Sequence, residues 1–108
     1  PYTINYKSYS NDLIKLFKPD EGVYPSIDPN FDHSPRSGTR GTILTDSTPE
    51  RWGKLCEKVF KKTDFRSHEE NLIFIKAWNE WGEGNYLEPD IKYGMGYLEQ
   101  LKKAIEEL

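Results

Sequence analysis

Seven residues, Leu72 to Trp78, run LIFIKAW and are nearly all apolar; the chain then breaks into NEWGEG from Asn79 to Gly84. A short continuous apolar run closed by glycines predicts a strand buried on both faces, as in the parallel sheets of α/β proteins. In such sheets the loops at the carboxyl ends of the strands build the site. This chain places two carboxylates, an amide and an indole there: Glu80, Glu83, Asn79 and Trp81. Gly82 and Gly84 let the backbone turn sharply, in conformations that other residues resist.

Residues three apart share a face on a turn or at the opening of a helix, so Glu80 and Glu83 converge on one ligand if the strand ends near Asn79. Two carboxylates in different surroundings are the equipment of glycoside chemistry, one protonated as acid and the other ionised. The plain alternative is a pair of solvated loop charges, since Glu is mostly an exposed residue. Trp78, Trp81 and Tyr86 around them, straight after an apolar strand, tilt the reading toward a site.

AWNEWGEGNYLEPD followed by YGMGYLEQLKKA resembles the C-terminal signature of the WbsX-like family of bacterial lipopolysaccharide-biosynthesis proteins, which are often labelled glycosyltransferases. That family is similar in turn to glycoside hydrolase family 99, the endo-α-mannosidases, whose motif reads NEWxEG. Asn79, Glu80, Trp81, Glu83 and Gly84 match it one by one. The resemblance implies that Glu80 acts as base on the sugar 2-hydroxyl and Glu83 as general acid/base. It sets Asn79, Trp81, Tyr86 and Glu88 against the saccharide, although Glu88 also reads as a plain loop charge. Phe31 to Arg36 resembles the family's WDNxxR element, which faces the same site. Asp32 and Arg36 match it, while Phe31 replaces the usual Trp and His33 the usual Asn. A second account of this element has Asp32 capping a turn and Arg36 pairing with it at the surface.

The resemblance also implies a fold, a (β/α)8 barrel of about 250 residues. The 108 residues here would supply its C-terminal βα units, with parallel strands in α-β-α-β-α order. A sequence starting at Pro1 without an initiator Met reads as an excised segment, from which a signal peptide cannot be judged. A bacterial cytoplasmic location, a saccharide substrate and no cofactor are the accompanying expectations. The net charge of −3 argues against nucleic acid, which calls for a clustered basic face. No apolar run approaches membrane-spanning length. Cys56 is the single cysteine, and with His33 and His68 far apart a structural zinc site is not expected; Cys56 should pack as a small core residue.

Along the chain, Tyr2, Tyr6, Tyr9, Leu13 and Phe17 recur at helical spacing, and a helix is expected from about Tyr6 to Phe17, with Ser10 and Asn11 as competing cap residues. The four tyrosines of this half read as core in preference to a sugar-stacking surface. Three prolines confine any strand in Gly22 to Arg36 to a short piece before Pro25 or between Pro25 and Pro29. Ser37 to Ser47 reads as loop with a brief extended piece at Thr42 to Leu44. Thr48 and Pro49 open an amphipathic helix to Lys62, with Trp52, Leu55, Cys56, Val59 and Phe60 as its stripe. Thr63 to Asn71 reads as a polar connection in which His68 carries little weight. In the strand that follows, alternation separates Phe74, Lys76 and Trp78 from Ile73, Ile75 and Ala77. Lys76 then needs a carboxylate or the water of the site, with Glu80 the first candidate. Leu98, Leu101, Ile105 and Leu108 mark a last helix from about Gly94. Strands cut from a closed barrel have unpaired edges, so self-association or only marginal stability is expected; sedimentation of a dilute sample as a compact stable monomer would count against it.

Overall fold

The computed structural model describes residues 1–19, 22–63 and 71–108; His68 and most of the polar connection before Asn71 lie outside the described residues. The elements run β1 (Tyr2–Asn5), α1 (Tyr6–Leu16), β2 (Ser26–Ile27), α2 (Ser34–Ser37), β3 (Thr42–Thr45), α3 (Pro49–Lys62), β4 (Phe74–Ile75), β5 (Asn79–Glu80), β6 (Asn85–Tyr86) and α4 (Gly96–Glu106). β1 pairs in parallel with β3, and β2 in parallel with β4. β5 and β6 form a small antiparallel hairpin. The segment after β2 is tied to β3 by an antiparallel bridge between Asp32 and Ile43.

α3 has the bounds its sequence predicts. Thr48 Oγ1 accepts from Arg51 N at 3.2 Å, and Pro49 occupies the first turn, where its missing N–H costs nothing. Its whole stripe is buried, Cys56 included, and joins Tyr6, Phe17, Ile27, Leu87, Tyr97 and Ala104 in one core. Trp52 is fully buried, its indole Nε1 donating to Tyr97 O at 3.1 Å and so tying α3 to α4.

α1 starts earlier than Ser10 or Asn11 because Asn5 caps it, Oδ1 accepting from Lys7 N at 2.9 Å. The residues ahead of that cap are extended, and the backbone of β3 pairs with them as β1. The core reading holds for Tyr6 and, in part, for Tyr9. The Tyr6 phenol donates to Asp28 O at 2.7 Å, and Asp28 N donates to Tyr9 Oη at 2.9 Å. Tyr2 and Tyr24 are exposed, against that reading.

The strand expected over Leu72 to Trp78 is a correction. Regular pairing is limited to Phe74–Ile75, and the run is not buried on both faces. Alternation is as predicted: Ile73, Ile75 and Ala77 are half-buried, whereas Phe74 and Trp78 are 54% and 55% exposed. The reason is that β4 has a two-residue ladder with β2 and no described element covers its second face. A continuous apolar run reports what a strand could bury, and its cover has to come from elsewhere. Thr42 to Leu44 proves to be the strand β3, and α4 begins at Gly96, two residues after the expected start. Among the described residues no helix is long and apolar enough to cross a membrane.

Candidate functional site

Beyond β4 the chain makes the β5–β6 hairpin, whose tip is a 3₁₀ turn over Trp81–Glu83 closed by Gly84 at φ +54°. That left-handed conformation favours glycine. Space requires it as well, since a Cβ on Gly84 would lie 2.8 Å from Asp32 Cβ. A Cβ on Gly82 would lie 2.7 Å from Arg36 Nη2. The glycines of NEWGEG therefore let the Asp32–Arg36 segment lie directly on the turn, where Asp32 N donates to Glu83 O at 2.7 Å. Below the turn Asn85 is fully buried; its Nδ2 donates to Asn30 O at 2.5 Å and to Lys76 O at 2.8 Å, while Tyr86 N donates to Asn30 Oδ1 at 2.8 Å. One amide side chain thus staples the end of β2 to the end of β4 beneath the two glutamates.

Each glutamate meets a cation from outside the turn. Arg36, carried on α2, donates from Nη2 to Glu80 Oε1 at 2.9 Å. Lys76 Nζ donates to Glu83 Oε2 at 3.2 Å, and His33 Nε2 lies 3.8 Å from Glu83 Oε1. Two expected partnerships are corrected here: Lys76 takes Glu83 in place of Glu80, and Arg36 takes Glu80 in place of Asp32. The second follows from the turn that Asp32 makes ahead of α2. Asp32 Oδ1 accepts from Ser34 N at 2.9 Å and from Ser34 Oγ at 2.5 Å, so its carboxylate is spent on the turn and Arg36 is carried over to the hairpin. The capping half of the plain account of Asp32 is thus met, and the pairing half is not.

Aromatic groups form one side of the site. Trp81 and Tyr86 stack with ring centroids 3.8 Å apart and planes 14° from parallel. Glu88 Oε1 accepts from Trp81 Nε1 at 2.9 Å, and Tyr86 Oη donates to Asp90 Oδ2 at 2.9 Å. Partial burial and the Asp90 carboxylate push the Tyr86 phenol up to about 12, keeping it a donor. Trp81 and Tyr86 also line an open cleft with Pro89, Asp90, Ile91 and Lys92. Asn79 is exposed on β5, opposite Tyr86.

One acid here is unusual. Asp28 follows Ile27 just beyond the end of β2, and burial pushes its carboxyl up to about 6, partly offset by Lys76. A carboxyl with a raised folded-state value binds more protons folded than unfolded between its ordinary value of 3.8 and about 6. Stability from this group is therefore lost as pH rises through that window. Asp28→Asn, which has nothing to ionise, is expected to raise the urea midpoint of unfolding at pH 7.5, with the gap closing toward pH 4; equal gaps at both values would contradict this.

The structure gathers Glu80, Glu83, Arg36, Trp81, Tyr86 and Glu88 around one hairpin, with Asp32 against it, holding the turn ahead of α2. Sequence reasoning missed Asn85, Asp28 and Asp90. Asp90 had a readable signal: an acid three residues before Tyr93, whose N–H it accepts at 2.6 Å, is an Asx-type turn. Asn85 and Asp28 had none, because their partners are distant in sequence.

The family model described as Glycosyltransferase WbsX matches residues 1–101. Two curated proteins named WxcX, from two strains of Xanthomonas campestris pv. campestris, one of them B100, are 29% identical to the chain over 103 and 102 residues. Each alignment covers 94% of this chain and 15% of the relative, so the chain spans about 15% of the length of these curated relatives. No solved structure matches it.

Proposed function

Because the chain belongs to the WbsX glycosyltransferase family, we propose that it carries part of the saccharide site of a polysaccharide-building protein, with Glu80 and Glu83 as the working carboxylates. One observation carries this reading. The two acids stand at the two ends of a single turn, each oriented by its own cation, beside a stacked Trp81–Tyr86 platform. Rings of this kind bury the apolar face of a sugar while carboxylates accept its hydroxyl protons. Glu80 is the base on a sugar hydroxyl and Glu83 the group that exchanges a proton with the glycosidic oxygen. Arg36 and Lys76 fix their positions, Glu88 orients Trp81, and Asn79 faces the ligand from β5. Asp32 acts through the turn, its carboxylate holding Ser34 ahead of α2 and its N–H holding the Glu83 carbonyl.

The parallel β2–β4 pair, with the site at its carboxyl end, supports the C-terminal βα units of a (β/α)8 barrel as the fold. In a protein of the relatives' length, further strand ends complete the site, and the 108 residues alone bind without turnover. Lipopolysaccharide or a related surface polysaccharide is the substrate class, and glycosyl transfer or glycoside hydrolysis the reaction. A second reading, a saccharide-binding module without chemistry, draws on the ion pairs that already occupy both acids. Glu80→Gln and Glu83→Gln in a full-length family member separate the two. An enzyme loses about 10²–10⁴-fold in turnover in each variant and still binds its saccharide. A wild-type protein that binds yet shows no turnover on any saccharide tried would leave the binding module standing.

A further inference from the structure

Lys76 meets two acids of unlike character. Its ammonium is 3.2 Å from Glu83 Oε2, and on its other side it acts electrostatically on Asp28, one residue beyond the Ile27–Ile75 pair of the β2–β4 ladder. Lys76 N donates to Ile27 O at 3.1 Å, so the backbone register fixes the two side chains at neighbouring positions on the open face of this strand pair. The Asp28 carboxylate itself accepts no hydrogen bond among the described residues; both bonds at this residue are made by its backbone, to Tyr6 and Tyr9 of α1. It is a half-buried acid without a donor, next to a lysine on a flexible four-carbon stem.

A ligand hydroxyl that donates to Glu83 Oε2 competes with the Lys76 ammonium for that oxygen. The Lys76 side chain is half exposed, so an ammonium released from Glu83 keeps contact with water and has Asp28 as the neighbouring carboxylate across the strand pair. We propose that Asp28 is a positioning residue of this site, the alternative acceptor to which Lys76 turns when Glu83 is taken up by ligand. Asp28 then acts through Lys76 and never touches the substrate. The inference rests on Glu83 being the ligand-facing acid proposed above, but the exchange it describes is a property of the chain without ligand.

The groups that face Asp28 are Tyr6 and Tyr9 from α1 and Lys76 from β4, with Glu83 and His33 beyond the lysine. Carbon-detected NMR of the Asp28 carboxyl across pH 3–8, in the chain and in Glu83→Gln and Lys76→Met, reads the exchange directly. With Glu83 neutralised, Lys76 belongs to Asp28 alone, and the Asp28 midpoint is expected to fall by about one unit. In Lys76→Met it should rise above that of the parent chain. The rise in Lys76→Met follows from the field of Lys76 on Asp28 alone, so the fall in Glu83→Gln is the deciding result. An Asp28 midpoint that is the same in Glu83→Gln as in the parent, both folded, overturns the proposal while leaving the saccharide reading intact. Absence of saccharide binding by a chain that shows both shifts would instead remove the saccharide reading and leave the exchange standing.

Discussion

Asn85→Ala is expected to lower the free energy of unfolding by about 3 kcal/mol, on the rule that each buried polar group stripped of its partner costs about 1–3 kcal/mol. The Asn85 amide supplies the donors for two carbonyls, Asn30 O and Lys76 O, at a position with no access to water. Alanine removes both donors, and the carbonyls stay where they are. Asn85→Asp is the sharper control. It keeps the size and the Oδ1 atom but turns a carboxylate oxygen toward two carbonyl oxygens, so it should be at least as damaging as alanine. Urea unfolding read by tryptophan fluorescence measures both. Because the staple lies under the turn, the Trp81 and Glu83 signals should change along with stability. A loss below 1 kcal/mol in Asn85→Ala would mean that the hairpin is held by something else.

Trp52→Ala should be the most destabilising single change, at about 4 kcal/mol, within the range for emptying an aromatic site in a core. Its indole is fully enclosed where α3 meets α4, and its Nε1 bond to Tyr97 O has no substitute. A domain of this size commonly has about 5–15 kcal/mol to lose, so the variant should unfold at much lower urea and bind hydrophobic dyes at room temperature. Trp52→Phe retains most of the packing and should cost distinctly less. Glu80→Gln, by contrast, removes one surface ion pair with Arg36 and should shift stability by no more than about 1 kcal/mol. A site variant that keeps the fold and a core variant that breaks it can therefore be told apart before any ligand is added.

How much of this was legible depended on where each signal resides. α3 could be read to the residue because its cap, its proline and its apolar stripe all lie inside the helix itself. That the Phe31–Arg36 element meets the NEWGEG turn was implied by its resemblance to the WDNxxR element, and the two segments do touch, through Asp32 N to Glu83 O and Arg36 to Glu80. Which acid meets which cation could not be read, since Asp32 is consumed by the turn ahead of α2 while Arg36 reaches Glu80 and Lys76 reaches Glu83. β1 was hidden because four residues are too few for alternation to show against the helical spacing that continues from Tyr2 into α1. The Leu72–Trp78 run was over-read for a different reason. Its composition was right for a doubly covered strand, but cover is a property of the surroundings, and Phe74 and Trp78 are exposed. Asn85, fully buried with both donor bonds to distant carbonyls, and the half-buried Asp28 carry no local pattern at all.

The central claim is that the hairpin from Asn79 to Glu88 is a saccharide subsite. A nitrogen–proton NMR titration of the 108-residue chain with manno-oligosaccharides, following the indole signals of Trp78 and Trp81, tests it most directly. The account predicts saturable shifts at those two indoles and in the Asn79–Glu88 backbone, with the buried Trp52 indole unmoved. A folded chain whose Trp78, Trp81 and hairpin signals stay in place at saturating sugar would contradict it.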